Sequence, residues 1–272
     1  MYIRTFGPRF LTPTNAMNAT AFPVIFDIDL RQPSAPQIYA ALREAILDLS
    51  LVPGTPISEN MICQRTTVSR TPVREAIIRL AQEDLVEVFP QRGSHVAPIR
   101  KQKVIEGTFI RASLESAVLR LASERWTAAD LVAAEAIIAQ QRTHAAAGDH
   151  LAFFREDENF HTHFAVVAGL AGVTQVIRDA ATHVIRVRRL AHPVPGYMQR
   201  AIAEHQAVLD NLRNGAIDDA VAALCKHITR VVDSMLARLS EQFPAYFESA
   251  IPFKATPLDA RPAVVAPAAR KA

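Results

Sequence analysis

Three histidines and one aspartate stand where helical spacing turns them toward the protein interior. Asp157 and His161 are four residues apart in FFREDENFHTHF, on one stripe with three phenylalanines. His205 and His227 share the apolar stripes of two later helical stretches. Because an unpaired buried carboxylate is costly, Asp157 needs a partner. Three imidazoles and a carboxylate suit Zn²⁺, or Ni²⁺ or Mn²⁺, with coordination positions left open.

Each histidine taken alone has a simpler explanation, as a core or rim residue with a backbone partner. His183 also lies near an apolar stripe and is a reserve ligand, whereas His163 is off the face of Asp157 and is expected to be solvated. Cys225 does not share a helix face with His227, two residues on. The metal hypothesis therefore depends on the four residues as a set.

A second group of candidates lies in residues 68–76, VSRTPVREA. Arg70 and Arg74 are one helical turn apart and point to the same side. Guanidinium groups can pair with guanine O6 and N7, and the hydroxyls of Ser69 and Thr71 with phosphates or bases. The alternative is an ordinary solvated helix face with two arginines.

The surrounding charge favours binding to an anionic partner. The chain has a formal charge of only +3 and a sequence pI of about 9.1. Residues 65–103 hold eight Lys and Arg against four Asp and Glu, a local excess of +4. A modest net charge thus conceals a basic region around the arginine pair, as nucleic-acid binding requires.

The elements that position this pair are predicted within residues 36–99. An apolar period near 3.6 predicts a first helix that stops at Pro53-Gly54, and Ser58 opens a short second helix. Ser69 or Thr71 caps a third, and LVEVF and SHVAP form a hairpin across the PQRG turn. Three helices and a hairpin predict a winged helix-turn-helix, whose third helix enters the DNA major groove.

The elements that position the histidines are predicted within residues 101–242. Helical periods and glycine breaks indicate about six helices, near 101–123, 127–147, 149–169, 172–191, 196–214 and 216–242. The fold class is therefore mainly α, a winged helix-turn-helix followed by an all-α bundle. With 272 residues, 50% of them hydrophobic, each domain can bury its own core.

The ends of the chain and its compartment complete the outline. Residues 1–35 and 243–272 are Pro-rich or Pro/Ala-rich without sustained period and are expected to be flexible tails, with Met17 an alternative start to Met1. Two distant cysteines imply no disulfide framework, and no apolar run is long enough to span a membrane. We expect a cytoplasmic protein with no membrane partner.

Residues 37–96 resemble the DNA-binding domain of the GntR family of bacterial transcription regulators. The resemblance implies DNA contacts from Ser69, Arg70, Thr71 and Arg74, and a wing tip at Arg92-Gly93. Thr67 and Asp84 stand where the family usually has glycine. The match rests on Pro53-Gly54, Ser58-Glu59, Val68 to Ala76, Leu85-Val86, Arg92-Gly93 and Val96.

Residues 101–240 resemble the FCD ligand-binding domain of one GntR subfamily. The resemblance implies a metal held by Asp157, His161, His205 and His227, and a small carboxylate effector at that metal. Six helices rather than seven would favour the VanR-like branch. The match rests on Arg111 with Leu114-Glu115, Asp157 with Phe160-His161, Ala168-Gly169, Glu204-His205 and His227.

Two functions from different classes are compatible with these residues. The first is a homodimeric regulator, more often a repressor in this family, whose binding to double-stranded operator DNA responds to an organic acid paired with Arg111. The second is a metal-dependent hydrolase or lyase with an accessory DNA-binding-like module. A hydrolytic enzyme needs a general base besides its metal ligands, and the bundle sequence offers none in a separate motif.

Overall fold

The computed structural model describes residues 22–248. Residues 1–21, with the alternative start Met17, and residues 249–272 lie outside the described part, so the predicted flexibility of those segments stays a prediction. No helix within residues 22–248 is long and apolar enough to cross a membrane.

The first domain consists of three helices and a small sheet. On α1 the apolar residues Ile38, Leu42 and Ile46 recur at four-residue intervals and are completely buried, which explains why this segment packs as a helix. Its elements are α1 (Ser34–Leu47), β1 (Pro56–Ile57), α2 (Glu59–Thr66), α3 (Arg70–Gln82), β2 (Val86–Phe89) and β3 (Gly93–Val96).

The predicted hairpin is confirmed, and a third strand joins it. The antiparallel sheet has the order β1-β3-β2, with Val86 opposite Val96 and Ile57 opposite Ser94. The two-residue strand β1 is too short to produce a sequence period and was not predicted. Ser58 caps α2 as predicted, accepting a hydrogen bond from the Met61 N–H at 3.3 Å.

Two positions where the related family usually has glycine adopt left-handed backbone conformations. Thr67, which ends α2 and starts the turn to α3, has φ 56°, and Asp84, after α3, has φ 58°. A β-branched residue is strained in this region, whereas glycine is not. Asp84 has a compensating role, since it pairs with Arg100 and lies 3.4 Å from Lys103 Nζ.

The expectation that residues 1–35 form a flexible tail is wrong for its described end. Val24 is buried in the core of the first domain, and the Arg65 guanidinium donates to the Phe22 carbonyl at 2.6 Å. Helix α1 also begins at Ser34, before the predicted boundary. The packing of this segment depends on partners about 40 residues away, which local sequence does not reveal.

The second domain is a helical bundle, as predicted, but the helix count differs. The stretch predicted as one helix at 172–191 is two, because Ala181 leaves helical geometry with φ −97° and ψ 13°. Between α10 and α11 the chain continues as a π-helix, Val231–Met235. The helices are α4 (Lys101–Ser123), α5 (Ala128–Ala147), α6 (His150–Val167), α7 (Val173–Ala180), α8 (Thr182–Ala191), α9 (Tyr197–Arg213), α10 (Ile217–Arg230) and α11 (Leu236–Gln242).

The chain beyond α11 returns to the junction between the domains. A 3-10 turn, Pro244–Tyr246, leads to Phe247, which bridges in parallel to Ile99. The Ile99 N–H donates to the Tyr246 carbonyl at 2.8 Å, and the Glu248 N–H donates to the Ile99 carbonyl at 3.0 Å. The predicted flexible tail 243–272 therefore begins with six ordered residues. Their hydrogen bonds to Ile99 hold the segment that connects the two domains.

Candidate functional site

The first candidate surface is the N-terminal end of α3. Ser69 is the N-cap residue, although its hydroxyl makes no capping hydrogen bond, and Arg70, Thr71 and Arg74 follow on the first turns. All four are exposed. The structure thus brings the four predicted residues together on one open face.

The two arginines of this face differ in their partners. Arg74 forms a forked ion pair with Glu59 of α2, with its Nη2 3.0 Å from Oε2 and its Nε 3.3 Å from Oε1. The Arg74 side chain is 62% exposed, and solvent and salt weaken ion pairs at such positions. Arg70 forms no ion pair within residues 22–248. Arg70 is therefore free to meet an anion, and Arg74 can exchange Glu59 for one.

The turn between β2 and β3 carries Arg92 and Gly93 at its exposed tip. Gln91 and Gly93 have positive φ angles of 63° and 83°, which close the turn, and the Arg92 N–H donates to the Phe89 carbonyl at 3.1 Å. The side chain of Arg92 consequently extends from the end of the wing.

The second candidate site is a buried cluster of the four predicted metal ligands. Helix α6 supplies Asp157 and His161, α9 supplies His205, and α10 supplies His227. One ligand atom from each lies within 4.8 Å of all the others. In a tetrahedral zinc site with bonds of about 2.0–2.1 Å, ligand atoms are about 3.3 Å apart, so small side-chain movements complete the geometry.

Hydrogen bonds fix the protonated nitrogen of His205. Its Nδ1 lies 3.0 Å from Gln141 Oε1, while the Gln141 amide nitrogen donates to the Glu156 carbonyl at 3.1 Å. Since the amide oxygen can only accept, His205 must donate through Nδ1, and its Nε2 carries a lone pair. The Phe160 ring stacks on the imidazole at 4.1 Å between centroids and holds its plane.

A carboxylate has the same role for His227. Its Nδ1 lies 2.7 Å from Glu204 Oε2, which accepts, and because burial favours the neutral ring, its Nε2 carries the lone pair. His161 Nδ1 lies 2.6 Å from Glu115 Oε2, at ion-pair distance but without hydrogen-bond geometry. Partners of this kind on the outer nitrogen are what orient metal-binding histidines in proteins.

The Nε2 atoms of His205 and His227 face each other at 3.2 Å. With both outer nitrogens donating, two lone pairs meet in a buried site, an arrangement that a cation between them would relieve. Burial and the neighbouring His227 hold the pKa of His205 well below its usual range. Burial and His161 do the same to the pKa of His227. Protonation is thus disfavoured at both, and the donor set fits a divalent metal ion.

Asp157 completes the cluster as an ionised carboxylate. Burial would raise its pKa, but the Arg188 guanidinium beside it holds that pKa well below its usual range. Its oxygens lie 3.7 Å from His161 Nε2 and 3.8 Å from His205 Nε2. Asp157 also accepts a hydrogen bond from Arg188, whose other Nη donates to Glu158 at 2.7 Å.

A cleft of about 520 Å³, including its open mouth, adjoins the cluster at His161. Three arginines line it, the buried Arg111 and Arg188 and the exposed Arg178, with apolar side chains between them. Arg111 is not free, because its Nε donates to Glu115 Oε1 at 2.6 Å. Burial would raise the pKa of Glu115, but Arg111 and His161 hold it well below its usual range.

Sequence reasoning missed Gln141, Arg178 and Arg188. Gln141 is detectable in retrospect, as a fully buried polar residue on the apolar stripe of Ala134 and Ile138 in α5. Arg178 and Arg188 lie on helices that the sequence merged into one, which obscured the faces they share. Neither carried a signal that distinguished it from other arginines of that stretch.

The two further histidines that the sequence analysis considered, His163 and His183, lie outside the cluster. The reserve ligand His183 accepts the Arg100 N–H at 3.1 Å and is not among the four clustered ligands. His163 was expected to be solvated, and that expectation is wrong. It is half-buried against Trp126, and its Nε2 lies 3.0 Å from the Asp130 carbonyl. Tertiary packing against α5 and Trp126, not helix periodicity, decides its environment.

Helix α8 connects the cluster with the first domain. Arg188 contacts Asp157, whereas Arg186, two residues earlier, donates to the Ala97 carbonyl at 2.7 Å and the Pro98 carbonyl at 3.5 Å. Ile185 of α8 is buried in the core of the first domain. One short helix thus touches the buried carboxylate, the linker and the winged domain.

Comparison with known proteins agrees with this architecture. The profile of the Bacterial regulatory proteins, gntR family, matches residues 34–96, and that of the FCD domain matches residues 106–230. The HTH-type transcriptional repressor RspR of Escherichia coli (strain K12) is 33% identical over 204 residues, 75% of this chain and 90% of that protein. A regulator in an unstable DNA locus of Streptomyces ambofaciens is 33% identical over 211 residues, 77% of this chain and 88% of that protein.

Solved structures show the same fold. E. coli McbR/YncC aligns with a TM-score of 0.63 at 19% identity, over 77% of this chain and 98% of that chain. A transcriptional regulator from Rhodococcus sp. RHA1 aligns with a TM-score of 0.62 at 21% identity, over 75% and 97%. Proteins of this family regulate transcription and are not enzymes, so the hydrolase or lyase alternative is set aside. The chain belongs to the GntR family of bacterial transcription regulators and joins a winged helix-turn-helix DNA-binding domain to an FCD domain.

Proposed function

We propose that this regulator binds operator DNA as a homodimer and that a small organic acid, bound at a divalent metal in the FCD domain, controls that binding. The DNA contacts assigned are Ser69, Arg70, Thr71 and Arg74 of α3, with Arg92 and Gly93 at the wing tip. The observation that carries the metal assignment is the pair of unprotonated Nε2 atoms of His205 and His227, 3.2 Å apart.

The metal ligands proposed are Asp157, His161, His205 and His227, with Zn²⁺ first among the candidate ions and Ni²⁺ or Mn²⁺ as alternatives. A bound divalent ion supplies positive charge and open positions for carboxylate oxygens. Gln141 and Glu204 hold His205 and His227 in one tautomer, and Glu115 lies at ion-pair distance from His161, so the chain presents preoriented lone pairs at two of the three histidines.

The charge of the adjoining cleft supports an anionic effector. Arg111, Arg178 and Arg188 line it, whereas Glu115 and Glu158 are each already in contact with one of these arginines. A carboxylate entering the cleft reaches His161 and the metal position on one side and guanidinium donors on the other. Arg111 can meet it in bidentate fashion by sharing its donors with Glu115.

Homodimer formation and repression are proposed on separate grounds. An operator read by two winged helices requires two subunits at a fixed half-site spacing. Helices α4 and α7 pack closely and leave Phe109 and Val176 more than half exposed, which suits a contact with a second copy. Two relatives are named repressors, RspR and the galactonate operon repressor of E. coli, and we extend repression to this chain.

Helix α8 provides the route between the two sites. An acid at the metal position changes the surroundings of Asp157, and Arg188 is bound to that carboxylate. A shift of Arg188 moves Arg186, which holds the linker carbonyls, and Ile185, which packs in the winged domain. The acid can change operator affinity only by its differential affinity for the two dimer states, so a tenfold effect needs about 1.4 kcal/mol.

The test uses the full chain loaded with Zn²⁺ and a genomic fragment that it selects. A panel of mono-, di- and hydroxycarboxylates is titrated while operator binding is followed by fluorescence anisotropy. We expect at least one acid to change operator affinity tenfold, and Arg111→Gln to reduce that response tenfold while metal content by elemental analysis stays unchanged. Arg142→Gln, an exposed arginine outside the cleft, is the matched control.

Removal of the metal by a chelator should abolish the acid response and leave basal operator binding measurable. If metal-free protein responds equally to the same acids, the effector site lies elsewhere. Equal responses to neutral analogues would likewise contradict the proposal that the effector is an anion.

A further inference from the structure

A second cleft lies where α8 ends, α9 begins and the π-helical segment follows α10. Including its open mouth, it has a volume of about 650 Å³, against about 520 Å³ for the cleft beside His161. The lining residues on which its chemistry depends are Arg200, Arg230, Ser234 and Arg238, with Gly196 and Tyr197 at the start of α9. Among the described residues, this second cleft shares no lining residue with the cleft beside His161. It also contains none of the four clustered ligands.

Three arginines give this second cleft a strong positive charge. Arg230 is 14% exposed and pairs with Glu204, whereas Arg200 and Arg238 are exposed and form no ion pair within residues 22–248. No Asp or Glu is among the described residues that line the cleft. A cleft lined by arginines, two of them without an ion pair in the described part of the chain, favours occupation by an anion.

Helix α9 begins beside the cleft, after Gly196 and without a side-chain cap. The Tyr197 N–H already donates to the Val194 carbonyl at 3.1 Å, and Met198 and Gln199 are not among the described residues that line the cleft. The donors that the cleft offers an anion are therefore the guanidinium groups.

The π-helix arranges the arginines on one face. Arg230, Ser234 and Arg238 follow each other at four-residue intervals through the segment Val231–Met235, and the Ser234 hydroxyl donates to the Arg230 carbonyl at 3.0 Å. All three line the cleft. π-helical turns inside α-helices are rare and recur at functional sites.

We propose that this cleft is a second anion site, which takes a small oxyanion, a carboxylate or a phosphate, separately from the effector at the metal. The occupant binds between Arg200, Arg230 and Arg238. This assignment depends on neither the proposed metal nor the proposed effector.

A direct contact chain links this site with the metal cluster. Arg230 Nη2 lies 3.0 Å from Glu204 Oε2, and the same oxygen lies 2.7 Å from His227 Nδ1. An anion that draws Arg230 toward the cleft leaves Glu204 with one donor fewer. The second site therefore modulates how firmly His227 is oriented, and with it how fast the metal dissociates.

The test titrates inorganic phosphate and, separately, citrate into the full chain and measures binding by calorimetry. We expect one of them to bind, and the double variant Arg200→Gln/Arg238→Gln to weaken that binding at least tenfold. Arg142→Gln controls for a lost surface charge and should bind as wild type does. Tighter binding of phosphate would assign a phosphorylated ligand, and tighter binding of citrate a carboxylate.

Three results would overturn the second site: no binding of either anion, binding unchanged in the double variant, or binding lost in Arg111→Gln, which would place the anion in the first cleft.

The contact chain from the second site to the metal cluster is tested by chelator-induced release of Zn²⁺. We expect saturating anion to speed release severalfold in wild type and not in the double variant. Equal rates in wild type with and without anion would contradict the link, and normal operator binding by the double variant would show that the regulator itself remains intact.

Discussion

Replacement of Gln141 tests whether tautomer control prepares the histidine cluster for a metal. Gln141 is fully buried on α5, accepts from His205 Nδ1 at 3.0 Å and donates to the Glu156 carbonyl at 3.1 Å. Gln141→Leu keeps the volume of the side chain but removes the acceptor. His205 can then place its proton on either nitrogen, and the tautomer that binds a metal through Nε2 loses its preference.

The size of the effect follows from the role of such outer partners. Their loss typically lowers metal affinity 10- to 100-fold, which corresponds to about 1.4–2.7 kcal/mol. The variant also leaves the buried His205 Nδ1 without its partner, at about 1–3 kcal/mol of folding stability. Gln141→Glu restores an acceptor for His205 and should recover most of the metal affinity, although not the bond to Glu156.

The assay is competition between the folded protein and a chromogenic chelator for Zn²⁺ at pH 7.5, with circular dichroism to establish that each variant is folded. The matched control is Gln140→Leu, because Gln140 neighbours Gln141 on α5 but is exposed. We expect weakened binding in Gln141→Leu only. Full metal affinity in Gln141→Leu, or an equal loss in Gln141→Glu and Gln141→Leu, would refute the tautomer argument.

Two further predictions concern DNA binding and pH. Arg70→Ala should weaken operator binding by about 1–3 kcal/mol in anisotropy titrations. The loss should exceed that of Arg74→Ala, because Arg74 must first leave Glu59 to contact DNA. Equal operator affinity of Arg70→Ala and wild type would reject the assigned contact. Burial lowers the pKa of His192 to about 3, so the unfolded chain binds more protons below about pH 6.5 and stability falls as the pH drops from there toward 3. His192→Phe should reduce the difference in unfolding free energy between pH 7 and pH 5 by about 2 kcal/mol in urea titrations. The figure corresponds to about 1.4 kcal/mol per pH unit below 6.5. An unchanged difference would show that His192 is not the titrating group.

The sequence by itself determined the faces of individual helices. A period of 3.6 places Asp157 and His161 on one side of α6, and the same rule turns His205 and His227 inward on their own helices. Cap residues are equally local, as Ser58 shows, which was predicted to open α2 and accepts from the Met61 N–H three residues on. These features need only residues within about one turn of each other.

Tertiary structure decided which residues meet across helices. Gln141 reaches His205 over 64 positions of chain, and Arg188 reaches Asp157 over 31. Neither partner is fixed by periodicity, because the register between two helices depends on how their whole surfaces interlock. The second arginine cleft has the same origin, since Arg200 and Arg238 share a wall only after α9 and the segment beyond α10 have packed together.

The order of the segment 22–33 and the break at Ala181 were also decided by the folded molecule. Local composition favours a tail and a continuous helix there, but Val24 gains burial in the winged domain, and the break separates α7 from the interdomain helix α8. Burial of apolar surface is non-local, so it overrides weak local preferences wherever a distant surface is available. Local spacing therefore identified the four candidate ligands, while their orienting partners, the clefts beside them and the route to the DNA-binding domain depend on contacts that form only in the assembled bundle.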